Sequence, residues 1–139
     1  MRIKRTVERW FECENDPDEA RVLIRNLSPG EIQDIYDETM PQEIKYEQDE
    51  KGNMVPNFKT DMDRKAQREK TMVACIKDWE NFYGYEDELL ECNDGNIIRA
   101  SREIEGFNQF VDNCRNIIAK DIEQEKESQV KNLSSTVSG

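Results

Sequence analysis

The chain has 139 residues, 35% of them apolar, which suffices for one modest core and not for two independent ones. With 31 acidic against 20 basic residues the net charge is -11, a field that repels phosphate backbones and anionic lipid and so disfavours generic nucleic-acid or membrane-surface binding. No apolar run approaches the roughly 18 residues of a membrane span, and the basic start MRIKRTVERW is not followed by the apolar segment of a signal peptide, so the expectation is a cytoplasmic protein.

At the N-terminus, Ile3, Val7, Phe11 and Cys13 share one alternation phase, and Ala20, Val22 and Ile24 share another after the turn ENDPD. This spacing predicts a two-stranded hairpin with one wet face carrying Lys4, Glu8 and Glu12. Trp10 falls on that wet phase and is either a ring laid over the hairpin edge or an anchor for a partner. Next, SPGE at residues 28 to 31 offers Ser28 as N-cap, Pro29 at the first helical position and Glu31 to bond back to the cap. A short helix over about 29 to 38 follows, with Ile32, Ile35 and Tyr36 on one face, and Met40 before Pro41 ends it because a residue preceding proline is pushed out of the α region.

Ile44 and Tyr46 alternate with polar residues, DEKGN turns the chain, and Met54 to Phe58 returns, which predicts a weaker second hairpin with Pro56 on an edge or in an irregular stretch. Thr60 with Asp63 repeats the capping signal before a helix expected over about 61 to 79, its stripe formed by Ala66, Met72, Val73, Ile76 and Trp79. Asn93 or Asp94 then caps a final helical region whose apolar positions are Ile97, Ala100, Ile104, Phe107, Val111, Cys114 and Ile118, with Phe110 and Ile117 on the shoulder. Gly106 lies within this pattern, so either one helix has a weak point there or two helices meet at a kink. Beyond Ile122 the stripe stops: EQEKESQVK reads as a solvated helix, with Glu127 and Lys131 as an i, i+4 pair, and residues 132 to 139 read as a disordered tail. The fold class is therefore α+β, a small antiparallel hairpin or sheet region at the N-terminus followed by a mostly helical C-terminal half. One domain is expected over residues 1 to 131, β-rich to residue 60 and helical from 61.

Chemistry-bearing patterns are few. The chain has no histidine, and Cys13, Cys75, Cys92 and Cys114 show no C-x-x-C spacing, so the usual zinc sets and the usual catalytic base are missing together. The cysteines read as small buried hydrophobes in a reducing compartment. The acidic clusters ENDPDE, YDE, EQDE and YEDE do not fit a calcium loop, because Gly52, Gly84 and Gly95 lack an acidic ligand five residues earlier other than Glu47, whose loop then lacks the closing glutamate. They read as solvated turns, and no Gly-rich phosphate loop or serine elbow is present. No catalytic residue, metal ligand or cofactor is assigned.

The stretch DWENFYGYEDELLECNDGN, residues 78 to 96, brings Trp79, Phe82, Tyr83 and Tyr85 together. A base-stacking platform would need nearby Arg or Lys, whereas the neighbours here are Asp78, Glu80, Glu86, Asp87, Glu88 and Glu91. Core closure is the plainer reading: Trp79 ends a stripe, the chain reverses around Gly84, and Leu89 and Leu90 return to the core. Trp10, Phe82, Tyr83 and Tyr85, the aromatics least fixed by a helical stripe, are the candidate partner-binding residues.

Taken together, CIKDWENF, then ELLECNDGNIIRASREIEGFNQFV, then the charged helix closing in VKNLSS, resemble the tail assembly chaperones of long-tailed phages and their prophages. Trp79 fills the Trp-centred helix end of that family, and Glu91-Cys92-Asn93 with Asn96 fills its Cys-Thr-x-x-Asn-like loop element, with Asn93 where threonine is common. The resemblance extends from about Arg64 to Ser134 and is loose over residues 1 to 60, where it rests on the hairpin and Leu27-Ser28-Pro29-Gly30-Glu31. It implies a non-enzymatic role: keeping the tape measure protein soluble and recruiting tail tube proteins during tail assembly, in the host cytoplasm, with the chaperone absent from the mature virion. An acidic decoy that mimics DNA to occupy a host enzyme is the competing reading, although the 20 bases are interleaved among the acids. The family often makes a longer product by ribosomal frameshifting, so Val130, Lys131 and Asn132 are expected on the codons GTA AAA AAC, which contain the slippery heptamer A AAA AAC. Reading the gene tests this, and any other codons for these residues remove it.

Overall fold

The computed structural model describes residues 1–40, 45–57 and 63–137. The alternating N-terminal segments pair as expected: β1 (Glu8–Glu12) and β2 (Arg21–Arg25) run antiparallel, with Phe11 opposite Val22 and Trp10 opposite Leu23. Val22 and Ile24 on β2 are fully buried and Phe11 nearly so, which defines the core face. The strand is shorter than the alternation implied, and Ile3 is exposed. Arg9 lies on the core face at its margin, its guanidinium over the Phe11 ring and its Nη1 donating to Asp121 at 2.8 Å.

Helix α1 (Pro29–Thr39) has the full reciprocal cap: Ser28 Oγ accepts from Glu31 N, and Glu31 Oε1 accepts from Ser28 N. Its C-cap, Met40, is extended at φ -80° and ψ 134°, the conformation forced on the residue before a proline. Of the expected apolar face only Ile35 is buried, and Ile32 and Tyr36 are exposed. Strands β3 (Lys45–Gln48) and β4 (Met54–Asn57) form the second hairpin, with Tyr46 opposite Pro56. Ile44, Phe58 and Thr60 lie outside the described residues. Helix α2 (Arg64–Cys75) is capped by Asp63, whose Oδ1 accepts from Ala66 N at 3.1 Å.

Here the structure departs from the sequence pattern. The helix expected to run to Trp79 stops at Cys75, and β5 (Ile76–Glu80) follows directly as the third strand of the first sheet, in the order β1-β2-β5. Leu23 faces Asp78 but Ile24 faces Ile76, so two steps along β5 match one along β2, and Lys77 is the extra residue of a β-bulge. The bulge puts Ile76 and Trp79, three residues apart, both on the core face. A spacing of three inside a strand imitates helical periodicity, and that is why the sequence reads as helix.

The last apolar stripe divides at Gly106 into α3 (Asp94–Glu103) and α4 (Phe107–Val137). Gly106 sits at φ 79°, a left-handed conformation that costs a residue with a Cβ about 1 kcal/mol or more. Asn93 is the N-cap of α3, its side chain accepting from Asn96 N at 2.8 Å. Asn108 Nδ2 donates to the Ser101 carbonyl at 3.1 Å and its Oδ1 meets Ser101 Oγ at 2.7 Å, tying the two helices across the break. Ile97, Ala100, Phe107, Val111, Cys114 and Ile118 are buried as the stripe predicts, but Ile104 is exposed because the chain leaves the helical path there. Helix α4 continues to Val137, into the segment expected as a disordered tail from residue 132: with no proline to break it, its backbone stays hydrogen-bonded within the helix.

The chain therefore forms a small antiparallel sheet with helices in its C-terminal half, an α+β architecture. It divides into two compact units, Met1–Leu27 with Met72–Gly139, and Ser28–Thr71, the second lying within the first in sequence. The pairing of β2 with β5 joins the two stretches of the first unit that flank the second in sequence. The main core lies wholly in the first unit, where Val22, Ile24, Met72, Cys75, Val111 and Ile118 are the most deeply buried side chains. Each of the larger aliphatic ones contributes about 1.5–3 kcal/mol of transfer free energy. Ile118→Ala should lower stability by about 2–5 kcal/mol and Gly106→Ala by about 1 kcal/mol, measured by urea unfolding.

Candidate protein-interaction surface

Residues 79 to 93, within the first unit, are built around three rings. Trp79 and Phe82 stack at 4.2 Å with an interplanar angle of 14°, and Phe107 meets both edge-on, at 6.4 Å and 5.8 Å. Such pairs add roughly 0.5–1.5 kcal/mol each beyond the area they bury. The one polar atom of the Trp79 ring is satisfied: Nε1 donates to the Leu90 carbonyl at 2.8 Å. Between Phe82 and Leu90 the chain makes a small hairpin. Leu90 N donates to the Phe82 carbonyl, Gly84 N to the Glu88 carbonyl and Asp87 N to the Gly84 carbonyl, with Tyr83 bridged to Leu89. Asp87 takes the left-handed position (φ 59°) that a three-residue hairpin loop requires, a conformation aspartate tolerates better than most residues.

This arrangement sorts the four candidate anchors. Phe82 is in the core, because stacking on Trp79 gives its ring more than water would. Tyr85 stands 95% exposed at the hairpin tip, and Tyr83 is 43% exposed beside it. Trp10 is apart from them on the outer face of the sheet, half-buried, with the Arg21 guanidinium 4.7 Å over its ring and Arg21 Nη1 3.3 Å from Glu80 Oε2. The Arg21 Nε is buried without a hydrogen-bond partner among the described residues. Leu90 packs on the core as expected, but Leu89 points out at 68% exposure, because bridge residues alternate sides and Leu90 takes the inward one. Neither Leu89 nor Ile104 is identifiable from the sequence as a surface residue, since both fall on apolar patterns that point inward.

The Glu91-Cys92-Asn93 and Asn96 element has a local role. Asn93 caps α3 through Asn96 N, and Asn96 Nδ2 returns a hydrogen bond to the Glu91 carbonyl at 2.9 Å. Glu88 accepts from Glu86 N at 2.8 Å and lies 3.8 Å from Arg99 Nη1, so the hairpin is tied to the first turns of α3.

Beside this hairpin is an open cleft of about 430 Å³. Its walls are the β1–β2 turn from Cys13 to Ala20, residues Asn81 to Tyr83, and the α3–α4 junction from Ile104 to Phe107 with Phe110. Asp16 shapes the first wall by accepting from Ala20 N at 2.9 Å and Asp18 N at 3.4 Å. Asn15, Asn81 and Gly106, at three separate points of the rim, all have left-handed backbone, and Asn81 Nδ2 donates to the Glu19 carbonyl. Phe82, Phe107 and Ala20 make an apolar floor.

All four cysteines are free thiols with raised pKa: burial, the largest cause in each, pushes Cys13, Cys75 and Cys92 to about 11 and Cys114 to about 12. Neighbouring acids reinforce this, Asp16 at Cys13 and Asp78 with Asp94 at Cys92. None is an activated thiolate at neutral pH. Among the described residues no group of three or more His, Cys, Asp or Glu side chains could hold a metal ion, and no helix is long and apolar enough to cross a membrane. Comparison with protein-family models, curated proteins and solved structures finds no match to this chain.

The raised thiols set a pH dependence with a definite sign. The unfolded chain releases these protons near pH 9 and the folded chain only near 11 or above, so stability is fully present below pH 9 and falls as pH rises through 11. Denaturant titrations from pH 8 to 11 should show a monotonic loss. Alkylation of Cys13 and Cys92 at pH 8 should run at least about 100-fold slower in the folded protein than in urea, and equal rates would contradict the assignment.

Proposed function

We propose that this protein is a non-enzymatic tail assembly chaperone of long-tailed phages or prophages, binding tape measure and tail tube proteins while the tail polymerises. The sequence resemblance over CIKDWENF and ELLECNDGNIIRASREIEGFNQFV gives the reading its content. The observation that carries it is physical: Tyr83, Tyr85, Leu89 and Ile104 leave apolar surface exposed at 43%, 95%, 68% and 41% in a chain of net charge -11. Tape measure proteins present long apolar helical faces. An apolar grip within an acidic surface covers such a face and keeps the complex soluble, because the uncovered charge repels other complexes. Action in the host cytoplasm and absence from the mature virion belong to the same proposal.

The decoy reading finds less support. Arg9 and Arg5 pair with Asp121 and Glu125 along one side of α4, so bases interrupt the acids where an array of phosphate mimics would need them unbroken.

Co-expression with the tape measure and tube proteins encoded nearby tests the proposal. The expected result is co-purification and a larger soluble fraction of the tape measure protein. Tyr85→Ala and Leu89→Ala should each weaken retention by about tenfold while shifting stability by less than about 0.5 kcal/mol. Phe82→Ala should instead cost about 3–5 kcal/mol of stability. Retention of neither protein by the wild-type chain would overturn the proposal.

A further inference from the structure

The cleft beside the 82–90 hairpin has a floor and a rim of opposite character. Phe82, Phe107 and Ala20 close its base and are buried, whereas Tyr83 and Ile104 at its mouth are 43% and 41% exposed and Phe110 is half-buried. The volume of about 430 Å³ suits one large side chain together with its flanking backbone. Around this apolar slot the lining carries Glu14, Asp16, Asp18 and Glu105, and it contains no lysine or arginine. Asp16 is engaged in holding the β1–β2 turn. Glu14, Asp18 and Glu105 are exposed and make no ion pair among the described residues. Other acids of the same unit do pair, as Asp121 does with Arg9, Glu80 with Arg21 and Glu103 with Arg99.

Unpaired carboxylates collected at the mouth of an apolar slot raise the local negative potential where a ligand would enter, and a low-dielectric floor focuses that field. An apolar ligand alone would leave the rim unused, and an acidic one would be repelled. We infer that this cleft is a docking site for a basic segment of a partner polypeptide, one that inserts an aromatic or long aliphatic side chain between Phe82, Phe107 and Phe110 and sets flanking Lys or Arg against Glu14, Asp18 and Glu105. The inference rests on the protein-binding reading above and names the chemistry of its partner. The apolar insertion supplies affinity and the rim charges supply selection and a fast encounter, so binding weakens with added salt.

Fluorescence anisotropy with three labelled peptides, GKKFKKG, GKKAKKG and GEEFEEG, tests this on the full chain. The expected result is that GKKFKKG binds at least about tenfold more tightly than either of the others, and that 0.5 M salt weakens it. Asp18→Lys and Glu105→Lys combined, both on exposed side chains, should reduce GKKFKKG binding about tenfold with an unchanged circular dichroism spectrum and unfolding midpoint. Equal binding of GEEFEEG, indifference to the two charge reversals, or no binding of GKKFKKG would each overturn the inference. If those results came with full retention of the tape measure protein, only the cleft assignment would fall; loss of that retention in the wild-type chain would overturn the protein-binding reading and the inference with it.

Discussion

The extra residue at Lys77 is what the first unit depends on. Without the bulge, a regular strand from Ile76 would send Trp79 to the face opposite Ile76, and the large indole would lie on the outer surface of the sheet. With it, both side chains meet the core, and Trp79 becomes the base on which Phe82 and Phe107 pack. The ordering of residues 81 to 93 follows. Phe82 anchors one end of the small hairpin, the Leu90 carbonyl fixes the other to the indole, and the Asn93 cap opens α3 three residues later.

The same constraint separates interior from exterior. Once Phe82 and Leu90 face inward, Tyr83, Tyr85 and Leu89 have no place in the core, and the extended backbone of Ile104, where α3 ends, leaves its side chain exposed on the neighbouring wall. The exposed apolar residues are thus a consequence of closing the core with few residues. Their exposure carries a standing risk of self-association, which the net charge of -11 opposes. Under the proposed function, apolar contact would hold a partner and like-charge repulsion would keep complexes apart.

Much of this was legible where local chemistry decides structure. The alternation in Val7, Phe11, Val22 and Ile24, the Ser28-Pro29-Gly30-Glu31 cap and the Met40-Pro41 stop each report on neighbours within a few residues and are present as read, and of the two caps offered for α3 the structure uses Asn93 rather than Asp94. The strand β5 was hidden because its partner β2 lies more than fifty residues away and because the bulge gives Ile76 and Trp79 a helical spacing. The division of the chain was hidden for the same reason, since that pairing joins the two stretches of its first unit. At the surface, the aromatic cluster was visible as composition, but which ring faces water depends on a hairpin register that no local pattern encodes. Of the four candidates Tyr83 and Tyr85 are exposed, Trp10 is half-buried and Phe82 is buried against Trp79, while Leu89 and Ile104 are exposed as well.

The central claim is that Trp79 seals the interior and thereby fixes what is left outside. Hydrogen exchange of the Trp79 indole Nε1 proton, followed by NMR under native conditions, tests it most directly. If the ring and its bond to the Leu90 carbonyl hold the core shut, this proton exchanges only by global unfolding, with the free energy found by denaturant titration. Exchange through a local opening of far lower free energy would contradict the account, because the 82–90 hairpin would then move independently of the core and the exposed set would have no fixed frame.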